Sequence, residues 1–167
     1  MTKKEPLDLI ADIEQSSEEY EHAVFGTYTY DPVFFESKIL PILQKRDAEN
    51  ILVFVDRTEY DSNFSQIKLA GKEYYLDHCN SGKVFHPKFS LLTWEEGGKL
   101  IIGSANLNEN EWRTAGEIIV NIDYDVNNPN KDIESAFYEM SQFLKNLVSH
   151  NFLKSKKHRQ KLMEIVT

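Results

Sequence analysis

Cysteine is nearly absent. Cys79 is the single example in 167 residues, so no disulfide can form within the chain, and a reducing cytoplasm is the expected location. Long apolar runs are missing too: none approaches the roughly 20 residues a membrane-spanning helix needs, so no membrane is expected as a partner. Residues 1–6 carry no apolar stretch of the secretory kind. Basic residues are the minority, 19 Lys and Arg against 27 Asp and Glu, which leaves a net charge of -8. That balance disfavours indiscriminate coating of nucleic acid but permits a local basic cleft. Metal-ligand spacing is also lacking. Asp77-His78-Cys79 lies near His86, yet adjacent strand residues face opposite sides and no second Cys completes a tetrahedral set. Neither metal nor cofactor is expected.

What is present is a period that alternates between helix and strand. Residues 7–17 place Leu7, Leu9, Ile10 and Ile13 on one helical face. Residues 22–30 are rich in Val, Phe, Thr and Tyr and predict a first strand. Asp31-Pro32 is a helix start, with Asp as cap and Pro where no donor is needed; the face Phe34, Phe35, Ile39 and Leu43 follows, interrupted by Pro41. The apolar run Asn50–Asp56 predicts a strand buried on both faces, with Asp56 capping the next turn. Residues 73–78 predict a further strand, and 84–94 and 100–104 two more, joined through Glu95-Glu96-Gly97-Gly98. Residues 107–114 read as helix or loop, and 116–124 as a strand. Ile133, Phe137, Met140, Leu144, Leu147 and Val148 mark a long amphipathic helix. The expectation is one α/β domain over 1–167, a mixed sheet flanked by helices, with an N-terminal helical segment (1–20) and a basic C-terminal extension (150–167).

The chemistry sits in the second half. His86, Lys88, Ser104, Asn106 and Glu117 fall within one stretch of alternating hydrophobicity, where neighbouring strands can bring them to one sheet edge. A histidine nucleophile must present a neutral ring nitrogen to phosphorus, so its other nitrogen needs an acceptor, for which Glu117 is available. Lys88 and Asn106 can supply donors to nonbridging oxygens. Lys83, Lys99 and Arg113 cluster in sequence around them and are expected to bind substrate. Lys154, Lys156, Lys157, Arg159 and Lys161 fit either a phosphate-tracking surface or a solvated helix end. Trp94 and Trp112 suit core or interface packing better than base stacking.

His86-Pro87-Lys88, Gly103-Ser104-Ala105-Asn106 and Glu117 resemble the signature of the phospholipase D superfamily, His-x-Lys followed by Gly-Ser-x-Asn and a later Glu. The resemblance is carried by residues 85–123, with 25–56 similar to the preceding strand-helix-strand. It implies a phospholipase D-like fold. It also implies a metal-independent phosphodiesterase, with His86 as nucleophile or acid, Lys88 and Asn106 as phosphate binders, Ser104 as supporting donor and Glu117 as the histidine orienter. Two departures matter. The family's Asp five residues after the Lys falls on Thr93, and the chain carries one copy of a motif whose chemistry needs two histidines. The second departure implies a homodimer with two such edges meeting across a two-fold axis. Short single-motif members are nucleases, some of them in restriction or defence. A homodimeric endonuclease on DNA or RNA is therefore the expected function. A lipid or small phosphodiester hydrolase, or a catalytically lapsed binding or dimerisation module, is the alternative.

Overall fold

A computed structural model describes residues 8–80, 82–113 and 116–166. Six strands form one mixed sheet in the order β3-β2-β1-β4-β5-β6. Strands β1 (His22–Thr27), β2 (Asn50–Asp56) and β3 (Tyr75–Cys79) run parallel; β4 (Phe89–Trp94), β5 (Gly97–Gly103) and β6 (Ile119–Asp125) follow as an antiparallel meander beside β1. With that polarity, the carboxyl ends of β1, β2, β3 and β5 share one edge with the amino ends of β4 and β6. We call it the upper edge.

Each face of the sheet has its own core. Phe25, Val53, Val55, Leu92 and Ile101 face α1 (Leu9–Glu14) and the helical stretch 32–45. Val24, Leu52, Phe54, Leu91 and Leu100 face α6 (Lys131–Ser149) and α7 (Lys156–Val166). A strand buried on both sides must be apolar at every position, and the run in β2 satisfies that. Helix α6 crosses its face obliquely: Phe137 packs on Tyr124 of β6, Phe143 on Phe89 of β4. The crossing leaves Ile102, Ile118 and Val120 exposed at the corner where β5 and β6 meet the upper edge.

Several sequence expectations shift in the structure. The first helix is shorter than expected, and Leu7 lies outside the described residues. Asp31 caps α2 (Pro32–Phe34) through Phe34 N (3.0 Å). Pro41 widens the helix instead of stopping it. Unable to donate, it is preceded by a π-turn at Phe35–Ile39, in which Leu40 N reaches the Phe35 carbonyl, and α3 (Leu40–Lys45) continues. Strands β4 and β6 begin later than the alternation suggests, so His86, Lys88 and Glu117 lie in irregular lead-ins to strands. Helix α4 (Arg57–Asn63) follows β2, α5 (Glu109–Arg113) occupies part of 107–114, with Thr114 outside the described residues, and α7 forms within the basic extension. Trp112 is buried in the first core and Trp94 packs against it. No helix among the described residues is long and apolar enough to cross a membrane.

Candidate active site

An open cleft of about 540 Å³ on the upper edge is lined by His86, Lys88, Gly103, Ser104, Asn106, Glu111 and Glu117. Five residues chosen from sequence therefore meet in one place, together with one that was not.

One wall is the lead-in to β4. The loop from β3 passes over the end of β2, where buried Asp56 holds it. One Asp56 oxygen caps α4 through Thr58 N (2.9 Å), as expected, and the other accepts Phe85 N (2.9 Å). Phe85 is itself buried, and the next side chain, His86, is exposed. Lys88 Nζ lies 3.0 Å from His86 Nδ1, and since an ammonium only donates, the contact uses a lone pair on the ring. The imidazole also stacks on Tyr28, centroids 4.7 Å apart and planes 33° from parallel. Partial burial lowers the Lys88 pKa from its ordinary 10.5, outweighing Glu111 and Glu117, which act to raise it.

The other wall is the exit from β5. A side chain at Gly103 would run into the Ile118 carbonyl, which explains the glycine at a point where two backbones meet. Ser104 N donates to Ile118 O (3.0 Å), its hydroxyl accepts from Ile118 N (3.0 Å), and the hydroxyl donates to the Glu117 carboxylate. Asn106 is clamped at both ends of its amide. Oδ1 accepts Thr29 N (3.0 Å), while Nδ2 donates to Glu111 Oε2 (3.0 Å) and Oε1 (3.3 Å). Glu111 also accepts Asn106 N (2.5 Å) and Asn108 Nδ2 (2.8 Å). Buried Thr27 completes the stitching, accepting Leu107 N (3.0 Å) and donating to Thr29 O (2.7 Å).

The remaining sequence candidates lie elsewhere. Lys99 sits about 13 Å down β5 from the cleft. Its ammonium is bound to Asp12 (3.2 Å) and Asp123 (2.9 Å), so it joins α1 to β6 instead of meeting substrate. Arg113 pairs with Glu109 (3.1 Å) on α5, and Lys83 is exposed in the β3–β4 loop; neither lines the cleft. Glu117 meets Ser104 and not the imidazole of its own chain. Thr93 lies at the far end of β4, beside His22, so the family's missing Asp removes no group from the cleft. Sequence reasoning missed Glu111 and Tyr28. Tyr28 lies just beyond β1, at the strand ends where α/β sheets gather ligands; Glu111 left no signal beyond its nearness to Asn106.

No family model and no curated protein matches the sequence. Solved structures do match. NucT from Helicobacter pylori aligns over 93% of this chain and 85% of its own, at 12% identity and TM-score 0.45. A point mutant of yeast tyrosyl-DNA phosphodiesterase aligns over 83% of this chain at 14% identity and TM-score 0.50, with this chain spanning 35% of that longer protein. Polyphosphate kinase from Porphyromonas gingivalis aligns over 86% at 12% identity and TM-score 0.43, again over a minor part (29%) of its own length. All three belong to the phospholipase D superfamily, and the fold of this chain is phospholipase D-like.

Proposed function

We propose that the chain is a phosphodiesterase of the phospholipase D type, working without a metal as a homodimeric endonuclease on DNA or RNA. The observation that carries this reading is the convergence of His86, Lys88, Ser104, Asn106 and Glu117 on one cleft. A ring nitrogen of His86 attacks phosphorus; the N–P bond forms as the P–O bond to the leaving strand breaks. The leaving oxygen takes its proton from the His86 of the second copy. Water, giving a proton back to that ring, then displaces the first imidazole and releases a phosphomonoester. Lys88 and Asn106 hold the charge on the nonbridging oxygens throughout. Glu117 meets Ser104 through one carboxylate oxygen, and in this reading its other oxygen is the one left to orient an imidazole across the two-fold. The uncovered apolar corner beside the cleft, with Ile118 78% exposed, supplies a surface on which two copies can meet.

A second reading, a lapsed phosphate-binding module, is favoured by one feature: Glu111 already occupies the Asn106 amide and adds negative charge where a phosphate must sit. Nuclease assays in excess chelator separate the two, using single- and double-stranded DNA and RNA beside phosphatidylcholine. Cleavage of nucleic acid that disappears in His86→Ala, with sedimentation showing the dimer intact, supports the endonuclease. Cleavage that survives the substitution, or a protein monomeric at assay concentration yet active, overturns it.

A further inference from the structure

A second cavity, of about 350 Å³, opens at the β3 margin of the sheet, lined among others by Arg57, Tyr60, His78, Lys154 and His158. Arg57 directly follows β2, and Lys154 adjoins Leu153, which bridges Cys79 at the end of β3. The cavity is therefore close to the upper edge, three strand spacings (about 14 Å) from the lead-in to β4 that carries His86. The β3–β4 loop, with exposed Lys83, spans the interval.

Two independent features mark the surface. The first is charge. Of the cations in 154–161, Lys154 lines the cavity and Lys157 lies over the Tyr75 ring of β3 (5.0 Å), whereas Lys161 pairs with Glu164 (2.7 Å) and Lys156 and Arg159 line a separate surface. Buried Asp77 faces the cavity but is committed to Ser155 N (2.9 Å), His158 Nδ1 (3.1 Å) and His78 N (2.9 Å). Asp61 makes a loose 3.8 Å contact with Arg57, both side chains well exposed, so an arriving phosphate can compete for the guanidinium. Glu59, the remaining acid of α4, is half-buried and does not line the cavity. The opposite edge of the sheet is acidic, with Glu18, Glu21, Glu49, Glu95 and Glu96 around a cavity of about 440 Å³. A polyanion is thus repelled from that end and drawn to this one. The second feature is aromatic. Tyr60 lies 5.1 Å from the His78 ring and 5.9 Å from Phe64, which stands 62% exposed outside either core. Flat rings beside cations are the combination that holds unpaired bases and their backbone.

We propose that this basic, aromatic surface is a second subsite that grips a single-stranded stretch of the nucleic acid whose scissile phosphate lies at His86. The inference rests on the nuclease reading and deepens it by naming the substrate as single-stranded beyond the cut. Tyr60 and Phe64 stack on bases; Arg57 and Lys154 meet phosphates.

The test separates binding from catalysis. His86→Ala protein is titrated with a fluorescent oligonucleotide, single-stranded or annealed, across a salt series, and the same surface substitutions are made in the wild type. With Arg57→Ala and Lys154→Ala together, single-strand affinity falls about tenfold or more and the salt slope drops by about two. Tyr60→Ala with Phe64→Ala weakens binding about tenfold with the slope unchanged. Hydrolysis of bis(p-nitrophenyl) phosphate, too small to span the interval, is unaffected by either pair. Affinities unchanged by both pairs, or a duplex bound as tightly as the single strand, overturn the proposal. If the variants lose single-strand binding but the wild type cleaves nothing, the subsite stands and the catalytic reading fails. If the small diester is cleaved and no oligonucleotide binds, the reverse holds.

Discussion

His86 and Lys88 stand on one wall of the cleft and Ser104, Asn106 and Glu117 on the other, and the two walls are held differently. The second is stitched shut. Every polar atom of the Asn106 side chain and every oxygen of Glu111 has a partner, and Ser104 ties β5 to the start of β6. The first is held by buried Phe85, whose N–H meets Asp56, and by Gly103 N donating to Lys88 O (3.2 Å), while its exposed ring rests only on Tyr28 and Lys88. A group that binds charge gains from being fixed before substrate arrives. A nucleophile must move along its bond-forming direction and tolerates looser support. The contrast is what the proposed division of labour in one cleft demands.

Removing the proposed nucleophile breaks the comparison most severely. His86→Ala should cost roughly a thousandfold or more in diester hydrolysis while leaving the fold intact, because the ring is exposed; circular dichroism checks the second half. Loosening the rigid wall comes next. Glu111→Ala should lower kcat about a hundredfold, and Glu111→Gln, which keeps an acceptor for Asn106, about tenfold. A change confined to stability, with kcat preserved, would mean that Glu111 does not position Asn106. Asp56→Ala strips two backbone donors of a buried acceptor and should cost about 2–4 kcal/mol in urea unfolding, releasing the His86 wall along with the α4 cap.

Smaller effects follow away from the cleft. Burial raises the Asp77 pKa, but hydrogen bonds from His158 and Ser155 N bring it below its ordinary 3.8. The native state then binds fewer protons than the unfolded chain. That stabilisation is complete above about pH 4 and vanishes as pH falls through the depressed value. Urea midpoints measured down an acid series should decline for the wild type and decline less for Asp77→Asn. The least effect on turnover, none, is expected at Lys99→Met, which should cost only stability, about 1–3 kcal/mol because Asp12 and Asp123 lose their partner, and which would separate this structural lysine from Lys88.

How far the sequence could be read depends on range. The buried run of β2 was legible to its ends, because continuous apolarity ending in a capping Asp has few other meanings. The site's members were legible because each bears a distinctive group in a motif. Their backbone was not: alternation continues through 84–88, yet β4 pairs only from Phe89, since the loop is first drawn down onto Asp56. Lys99 shows the limit most clearly. Nearness in sequence to His86 placed it in the cleft, but the strand carries it about 13 Å away, toward carboxylates 87 residues upstream and 24 downstream in the chain. Glu111 is legible only afterwards, since its place depends on how the chain turns after Asn106.

Strand β6 closes one side of the sheet with its outer backbone groups open to further pairing. Its lower half carries Asp123 and Asp125, both exposed, and a neighbour adding itself there would set like charges against each other. Such gatekeepers discourage ribbon-like polymerisation through this margin and leave the uncharged corner at Ile118 and Val120 as the surface open to the proposed pairing of copies.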